Sequence, residues 1–226
     1  MEWEDARPWL LFVVACHDLG KACPGFQCKW ENLSGMDAGR SPNTEINHAF
    51  VSQIALSEVL QKHGWPEDLA ELMADAVGCH HGERASPTTL DRLMGDRRAL
   101  GKEEWTEARF GLVEALVEVL NPTKTPAKHT LTGPDFMLLS GLTSFADWIG
   151  SNQEFFKPAG NPALVDGPFD VADYFGRAKG WAVDALDRLG WLGRTDAAPP
   201  VTFAELFPFI KEPRPLQTAM AEIVAG

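Results

Sequence analysis

The stretch "WLLFVVACHDLGKA", residues 9–22, decides how this chain is read. A run of apolar and small residues gives way without a break to His17, Asp18 and then Lys21. Pro8, just ahead of it, suits the first turn of a helix, where its missing N–H is not needed. A run that is apolar on nearly all sides is that of a central buried helix, not a surface one. Strand is the competing reading, and helix is preferred because the run continues into a polar trio that must share a face. Buried charge is costly unless it is paired or bound to metal, so the trio needs a reason to be there.

Outward from this stretch the punctuation is helical. Residues 23–46 ("CPGFQCKWENLSGMDAGRSPNTEI") are rich in Gly, Pro, Asn and Ser and read as a long loop holding a short turn of helix. Residues 47–64 carry apolar side chains at 50, 51, 54, 55, 59 and 60 and close with Gly64, a helical stripe with a stop. Residues 66–82 begin with a proline and two acids, continue with apolar residues at 69, 72, 73, 76 and 77, and end at Gly82. The segment 85–133 is more polar and is expected to hold one amphipathic helix, "EEWTEARFGLVEALVEVL", before a Pro/Thr/Lys loop. Residues 135–152 are apolar on most faces but carry Asp147, and 168–190 show a stripe from Val171 to Leu189 that stops at Gly190. No segment alternates with period two between turns, so the fold is expected to be all-α, with its core around the helices bearing His17 and Asp147.

The 226 residues, 45% hydrophobic and 23% charged, are those of an ordinary globular protein with room for one sizeable core or two small ones. The opening "MEWEDARP" is acidic where a signal peptide needs positive charge, and no apolar run approaches the roughly 18 residues that span a bilayer. A cytoplasmic protein with no membrane partner is therefore expected. Cys16, Cys23, Cys28 and Cys79 lack CxxC pairing and read as reduced thiols, with Cys16 and Cys79 in the core. The net charge of −12 argues against gripping nucleic acid through the protein surface, because phosphate binding normally draws on lysine and arginine.

The informative residues are thus the polar ones within apolar helices: His17, Asp18, His80, His81 and Asp147, with His48 in the first turn of its own helix. Imidazole and carboxylate are ligands for divalent metals, and a histidine-rich N/O set favours Mn, Fe, Co, Ni or Zn over Mg or Ca. Adjacent residues on a helix diverge by about 100°. A His-Asp or His-His pair therefore serves two metals, or sits at a helix end where the backbone turns. Gly20 and Gly82 offer such ends. Taken singly, a buried histidine satisfied by a backbone carbonyl is commoner than a ligand; the set together points to metal. His63 and His129 read as solvated surface groups.

These residues also resemble a known family. "HDLGKACPGFQ" around His17, "NHAF" around His48, "CHHG" at 79–82 and "GLTSFADWIGSN" at 141–152 follow in order the motifs of the HD nuclease domain of the CRISPR-associated nuclease-helicase of type I systems. The resemblance covers about residues 9–190, though 85–133 contributes little. It implies an HD-domain helical bundle with a di-metal site in its core. His17, Asp18, His48, His80, His81 and Asp147 would be the ligands: Asp18 bridges, Asp147 completes the site of His17, and the other three histidines hold the second ion. It implies two divalent ions, Mn, Fe, Co or Ni, with Mg also admitted. Asp18 is then catalytic, as is Lys21, which shares its face and meets a phosphate oxygen or buffers the carboxylate. One departure is that the family usually has a further histidine upstream of the dyad, whereas residues 1–16 contain none.

A second resemblance lies at 208–220, "PFIKEPRPLQTAM", which is similar to the segment introducing the helicase motor of the same family, with Gln217 in an adenine-reading motif. No G-x-x-x-x-G-K-[ST] follows within the sequence. The expected organisation is a nuclease domain over 1–195 and, over 196–226, a linker and the start of a helicase domain whose motor is absent. The implied function is metal-dependent cleavage of single-stranded DNA in antiviral defence, endonucleolytic or exonucleolytic. The implied partners are a crRNA-guided effector complex and a helicase domain in cis or in trans. Two other readings stay open: an HD phosphohydrolase acting on small nucleotides, and a non-catalytic HD module that docks on the effector complex.

Overall fold

Pro8 lies inside the first helix instead of opening it. In the computed structural model, which describes residues 3–27, 46–122, 131–156, 170–192 and 202–219, α1 runs Trp3–Ala15. Pro8 removes a single intrahelical hydrogen bond near the start. A second difference matters more: the α-helix does not continue through the His-Asp pair. Cys16–Lys21 is a 3-10 helix, held against α3 (His48–Lys62). The Gly20 N–H donates to Ser52 Oγ at 2.8 Å, and a methyl at Gly20 would run into the His48 carbonyl oxygen and the Ser52 nitrogen. Only glycine lets the two backbones approach this closely. The tighter winding stacks residues three apart, which brings Lys21 directly over Asp18.

After α2 (Pro24–Gln27), α3 starts at an Asn47 cap whose side chain accepts the Ala49 N–H at 3.0 Å, the usual way to satisfy an orphan helix donor. Next, α4 (Glu67–Gly78) has Glu67 and Asp68 in its first turn, where carboxylates complement the helix dipole. It ends four residues before the expected Gly82. Cys79–His81 form a turn, and Gly82 takes φ +81°, a left-handed conformation suited to glycine. Segment 85–122 holds three helices where one was expected: α5 (Pro87–Gly95), α6 (Arg97–Leu100) and α7 (Glu103–Leu120). The missed start was legible as Ser86 followed by Pro87, since the serine side chain accepts the Thr89 N–H at 3.1 Å. α8 (Gly133–Gly150) opens with a capping box between Thr132 and Asp135, and α9 spans Val171–Arg188. Among the described residues there is no strand, so the all-α expectation holds.

One core gathers Trp9, Phe12, Val13, Cys16 and Leu19 with Leu56, Val59 and Leu60 of α3 and Leu69, Met73, Ala74 and Val77 of α4. Val113 and Leu139 add α7 and α8 to it. The helix run that ends in His17 and Asp18 is therefore central, as its composition implied. A smaller cluster of Cys23, Ile46, Phe50, Val51, Leu93 and Ala99 closes the side near α5 and α6. Cys16 and Cys23 are buried, whereas Cys79 is only half-buried, a correction to its expected core position. The difference follows from its place on the turn beyond α4. His63 is exposed as expected, while Cys28 and His129 lie outside the described residues. No helix among the described residues is long and apolar enough to cross a membrane.

The chain divides into two units, Met1–Ala182 and Val183–Gly226. Within the second, α10 (Phe203–Leu206) carries its own capping box between Thr202 and Glu205, and Gln217 accepts the Arg214 N–H at 2.8 Å.

Candidate metal centre

The residues singled out in the sequence come from four separate elements and meet. The 3-10 helix brings His17 and Asp18, the first turn of α3 brings His48, the turn after α4 brings His80 and His81, and α8 brings Asp147. They form two groups, His17/Asp18/Asp147 and His48/His80/His81, and within each group the donor atoms lie within 4.8 Å of one another. Asp18 stands between the groups. Its Oδ2 is 3.3 Å from His17 Nε2, and its Oδ1 is 3.2 Å from His48 Nε2. His17 Nε2 lies 3.5 Å from Asp147 Oδ1, and His81 Nε2 lies 3.1 Å from His48 Nε2.

Two of the imidazoles are oriented by their own backbone. His17 Nδ1 donates to the Val14 carbonyl at 2.8 Å, and His80 Nδ1 donates to the Val77 carbonyl at 2.8 Å. A carbonyl can only accept, so the neutral ring carries its proton on Nδ1 and aims the Nε2 lone pair into the cluster. His17 Nε2, His80 Nε2 and Asp18 Oδ1 are buried and make no hydrogen bond. Buried ring nitrogens and a carboxylate oxygen left without a hydrogen-bond partner are what a cation would satisfy. The donor set of four imidazoles and two carboxylates fits divalent transition-metal ions.

Charge and burial pull the titrations apart. Burial works against a charged His17, but Asp18, the Val14 carbonyl and Asp147 outweigh it and raise its pKa. Burial likewise works against the Asp18 carboxylate, yet His17, His48 and Lys21 hold it well below the usual carboxylate range. Burial pushes His80 down to about 4, and burial with the neighbouring His48 lowers His81. Lys21 Nζ donates to Asp18 Oδ2 at 2.5 Å, the contact that the 3-10 winding makes direct. Asp147 is 8% exposed and accepts the Ser151 hydroxyl at 2.8 Å.

Several supporting residues escaped the sequence reading. Asp75 is a lone acid on the apolar face of α4 and meets the same test that picked out Asp147. Its Oδ2 accepts from Arg84 Nε at 2.8 Å, and its Oδ1 from Gln53 Nε2 at 3.3 Å. It is thus a paired acid, not a ligand. Arg109, 8% exposed on α7, donates to the Ala22 and Leu100 carbonyls at 2.8 and 2.9 Å and so pins the chain just after the 3-10 helix. Ser52 and Ser144 carry no sequence signal beyond being small polar residues on apolar helices.

An all-helical core holding a His-Asp pair beside four further donors from three other elements defines an HD-type domain. The family model described as "Cas3, HD domain" matches residues 1–156, and the chain belongs to this family. The CRISPR-associated endonuclease/helicase Cas3 of Thermus thermophilus is 33% identical over 233 residues, covering 99% of this chain and 24% of the relative. The chain therefore spans about a quarter of that protein's length. Among solved structures, one described as a CRISPR-associated protein matches with a TM-score of 0.74 at 35% identity, covering 99% of this chain and 25% of that one. The Thermus thermophilus Cas3 HD domain in the presence of Ni2+ matches with a TM-score of 0.61 at 31% identity, over 86% of this chain and 72% of that one.

Proposed function

We propose that this chain is a metal-dependent nuclease domain that cleaves single-stranded DNA in CRISPR antiviral defence, beside a helicase and a crRNA-guided complex. The observation that carries the reading is the convergence of His17, Asp18, His48, His80, His81 and Asp147, with buried lone pairs left open at its centre. His17, Asp18 and Asp147 would hold one divalent ion and His48, His80 and His81 the other, with Asp18 shared. When bound, such a pair lowers the pKa of a water molecule and polarises a phosphodiester, so no separate protein base is needed. The Val14 and Val77 carbonyls hold the His17 and His80 rings in the ligating tautomer. Lys21 limits the negative charge on Asp18 and stands ready for a phosphate oxygen.

The net charge of −12 agrees with a domain that does not track DNA by itself. Guidance along the strand falls to the helicase, present in cis or in trans, with residues 196–226 as the linker and the start of that domain. Mn, Fe, Co or Ni suit the imidazole-rich set better than Mg, and the site of action is the cytoplasm. The test is cleavage of end-labelled single-stranded DNA by metal-stripped protein resupplied with Mn2+, Co2+ or Ni2+. Asp18→Ala is expected to lower the rate by about a thousandfold or more, while unchanged cleavage would reject the assignment. Turnover of mononucleotides or cyclic nucleotides without DNA cleavage would instead favour the small-nucleotide hydrolase.

A further inference from the structure

His80 is 2% exposed, and its backbone carbonyl lies beyond the end of α4, where the helix no longer supplies a donor. A buried carbonyl needs a partner. Among the described residues that partner is the Ser144 hydroxyl of α8, 2.8 Å away, with the Ser140 carbonyl of its own helix as the longer alternative at 3.1 Å. A serine on a helix ordinarily bonds back to its own turn. Here the shorter contact goes across to the neighbouring element. Ser144 precedes Asp147 by three residues, so the two stand on one face of α8. The same face that supplies a carboxylate to one donor group therefore fixes the main chain of the residue pair supplying two imidazoles to the other.

We infer that Ser144 is a positioning residue that sets the His80–His81 turn for the second metal ion and couples it to α8. This rests on the metal reading above. The Nδ1 proton of His80 goes to Val77 within its own turn, which fixes the rotation of the ring but not the distance of the turn from Asp18 and His48. The Ser144 hydroxyl fixes that distance. His81 gains most, because its ring is exposed and, among the described residues, no backbone carbonyl orients it.

The test is Mn2+ or Co2+ titration by calorimetry of the full chain after metal removal, with thermal melting of the metal-free forms beside it. Wild type is expected to take two ions. Ser144→Ala is expected to weaken one of them about tenfold and to leave the other unchanged. In a His81→Ala background, which keeps one ion, Ser144→Ala is expected to change nothing. Ser144→Thr keeps the hydroxyl and is expected to stay within about threefold of wild type; it also serves if the alanine variant folds poorly. Equal weakening of both ions, loss of the remaining ion in the His81→Ala background, or a threonine variant as weak as alanine would overturn the inference. The metal reading fails separately: then Asp18→Ala binds as wild type does. Two ions in wild type, none in Asp18→Ala and no change in Ser144→Ala would sink the coupling alone.

Discussion

The two donor groups share Asp18 as a neighbour but differ in charge and cover. His17, Asp18 and Asp147 have two carboxylates and no exposed member, while His48, His80 and His81 are three imidazoles of which His81 stands in solvent. A carboxylate pair attracts a cation by charge alone, and burial strengthens that attraction. The three rings bring no carboxylate of their own and draw on Asp18 alone, so their hold on an ion rests more on their placement. The carboxylate group should therefore tolerate small displacements better, and the histidine group should depend on the residues that hold its turn.

The sharpest break in the comparison comes from Asp18, the one donor close to both groups. Asp18→Ala is expected to abolish binding of both ions, whereas His81→Ala removes one and leaves the carboxylate group loaded. Metal analysis after dialysis against Mn2+ or Ni2+ reads two, none and one for wild type and the two variants. Equal loss in both variants would mean that the groups are a single site.

Gly20 tests the joint between the groups. The 3-10 helix carrying His17 and Asp18 meets α3 at the residue that carries His48, and a methyl at Gly20 would collide with the His48 carbonyl. Gly20→Ala is expected to cost about 3 kcal/mol in urea unfolding of the metal-free protein, because the obstruction is backbone and cannot swing away. A loss below about 1 kcal/mol would show that the two elements can slide apart.

That joint also marks what could and could not be read from the chain. The residues that converge were legible because each is a charged or titratable residue in an apolar run, where an unpaired group is too costly to persist. The helix count between 85 and 122 was legible only at the Ser86-Pro87 start of α5, because α5 and α6 are short and polar surface positions mask their period. The 3-10 winding at 16–21 was not legible, because it is set by the approach of α3, a contact between residues more than thirty apart in sequence. Asp75 shows the limit of the burial rule. It satisfies the same criterion as Asp147, and its pairing with Arg84 and Gln53, against the place of Asp147 beside His17, tells the two apart.

Acid should separate the groups in the metal-free protein. His80 is pushed by burial from 6.5 to about 4. Below 6.5 the unfolded chain takes a proton that folded His80 refuses, so stability is full above 6.5 and declines as pH falls toward 4. His81, also lowered, acts in the same direction. His17, raised, acts on the other side: its contribution is intact below 6.5 and is lost as pH rises through its folded value. Asp18, held low, contributes to acid loss only below 3.8. Urea unfolding from pH 6.5 down to 4 is expected to lose about 2 kcal/mol, and a His80→Asn variant is expected to lose less than half of that. The same slope in the variant would remove His80 as the cause.

The smallest effect is expected at Arg84, and it bears on the histidine group alone. Arg84 follows the His-His-Gly turn and returns to Asp75 on α4, closing residues 75–84 into a loop that contains both His80 and His81. Its side chain is 65% exposed, so the ion pair itself contributes little, about 1 kcal/mol or less. Asp75, at 12%, is the sheltered partner, and removing the guanidinium leaves that carboxylate, among the described residues, with Gln53 as its remaining side-chain hydrogen-bond partner. Arg84→Ala is therefore expected to lower stability by about 1 kcal/mol and to weaken the second ion a few-fold, with the ion at His17, Asp18 and Asp147 unaffected. Arg84→Lys is expected to recover only part of this, since one ammonium cannot reproduce the paired Nε and terminal nitrogen contacts. If instead the carboxylate-bound ion weakened as much, placement would matter equally to both groups, and charge would not be what distinguishes them.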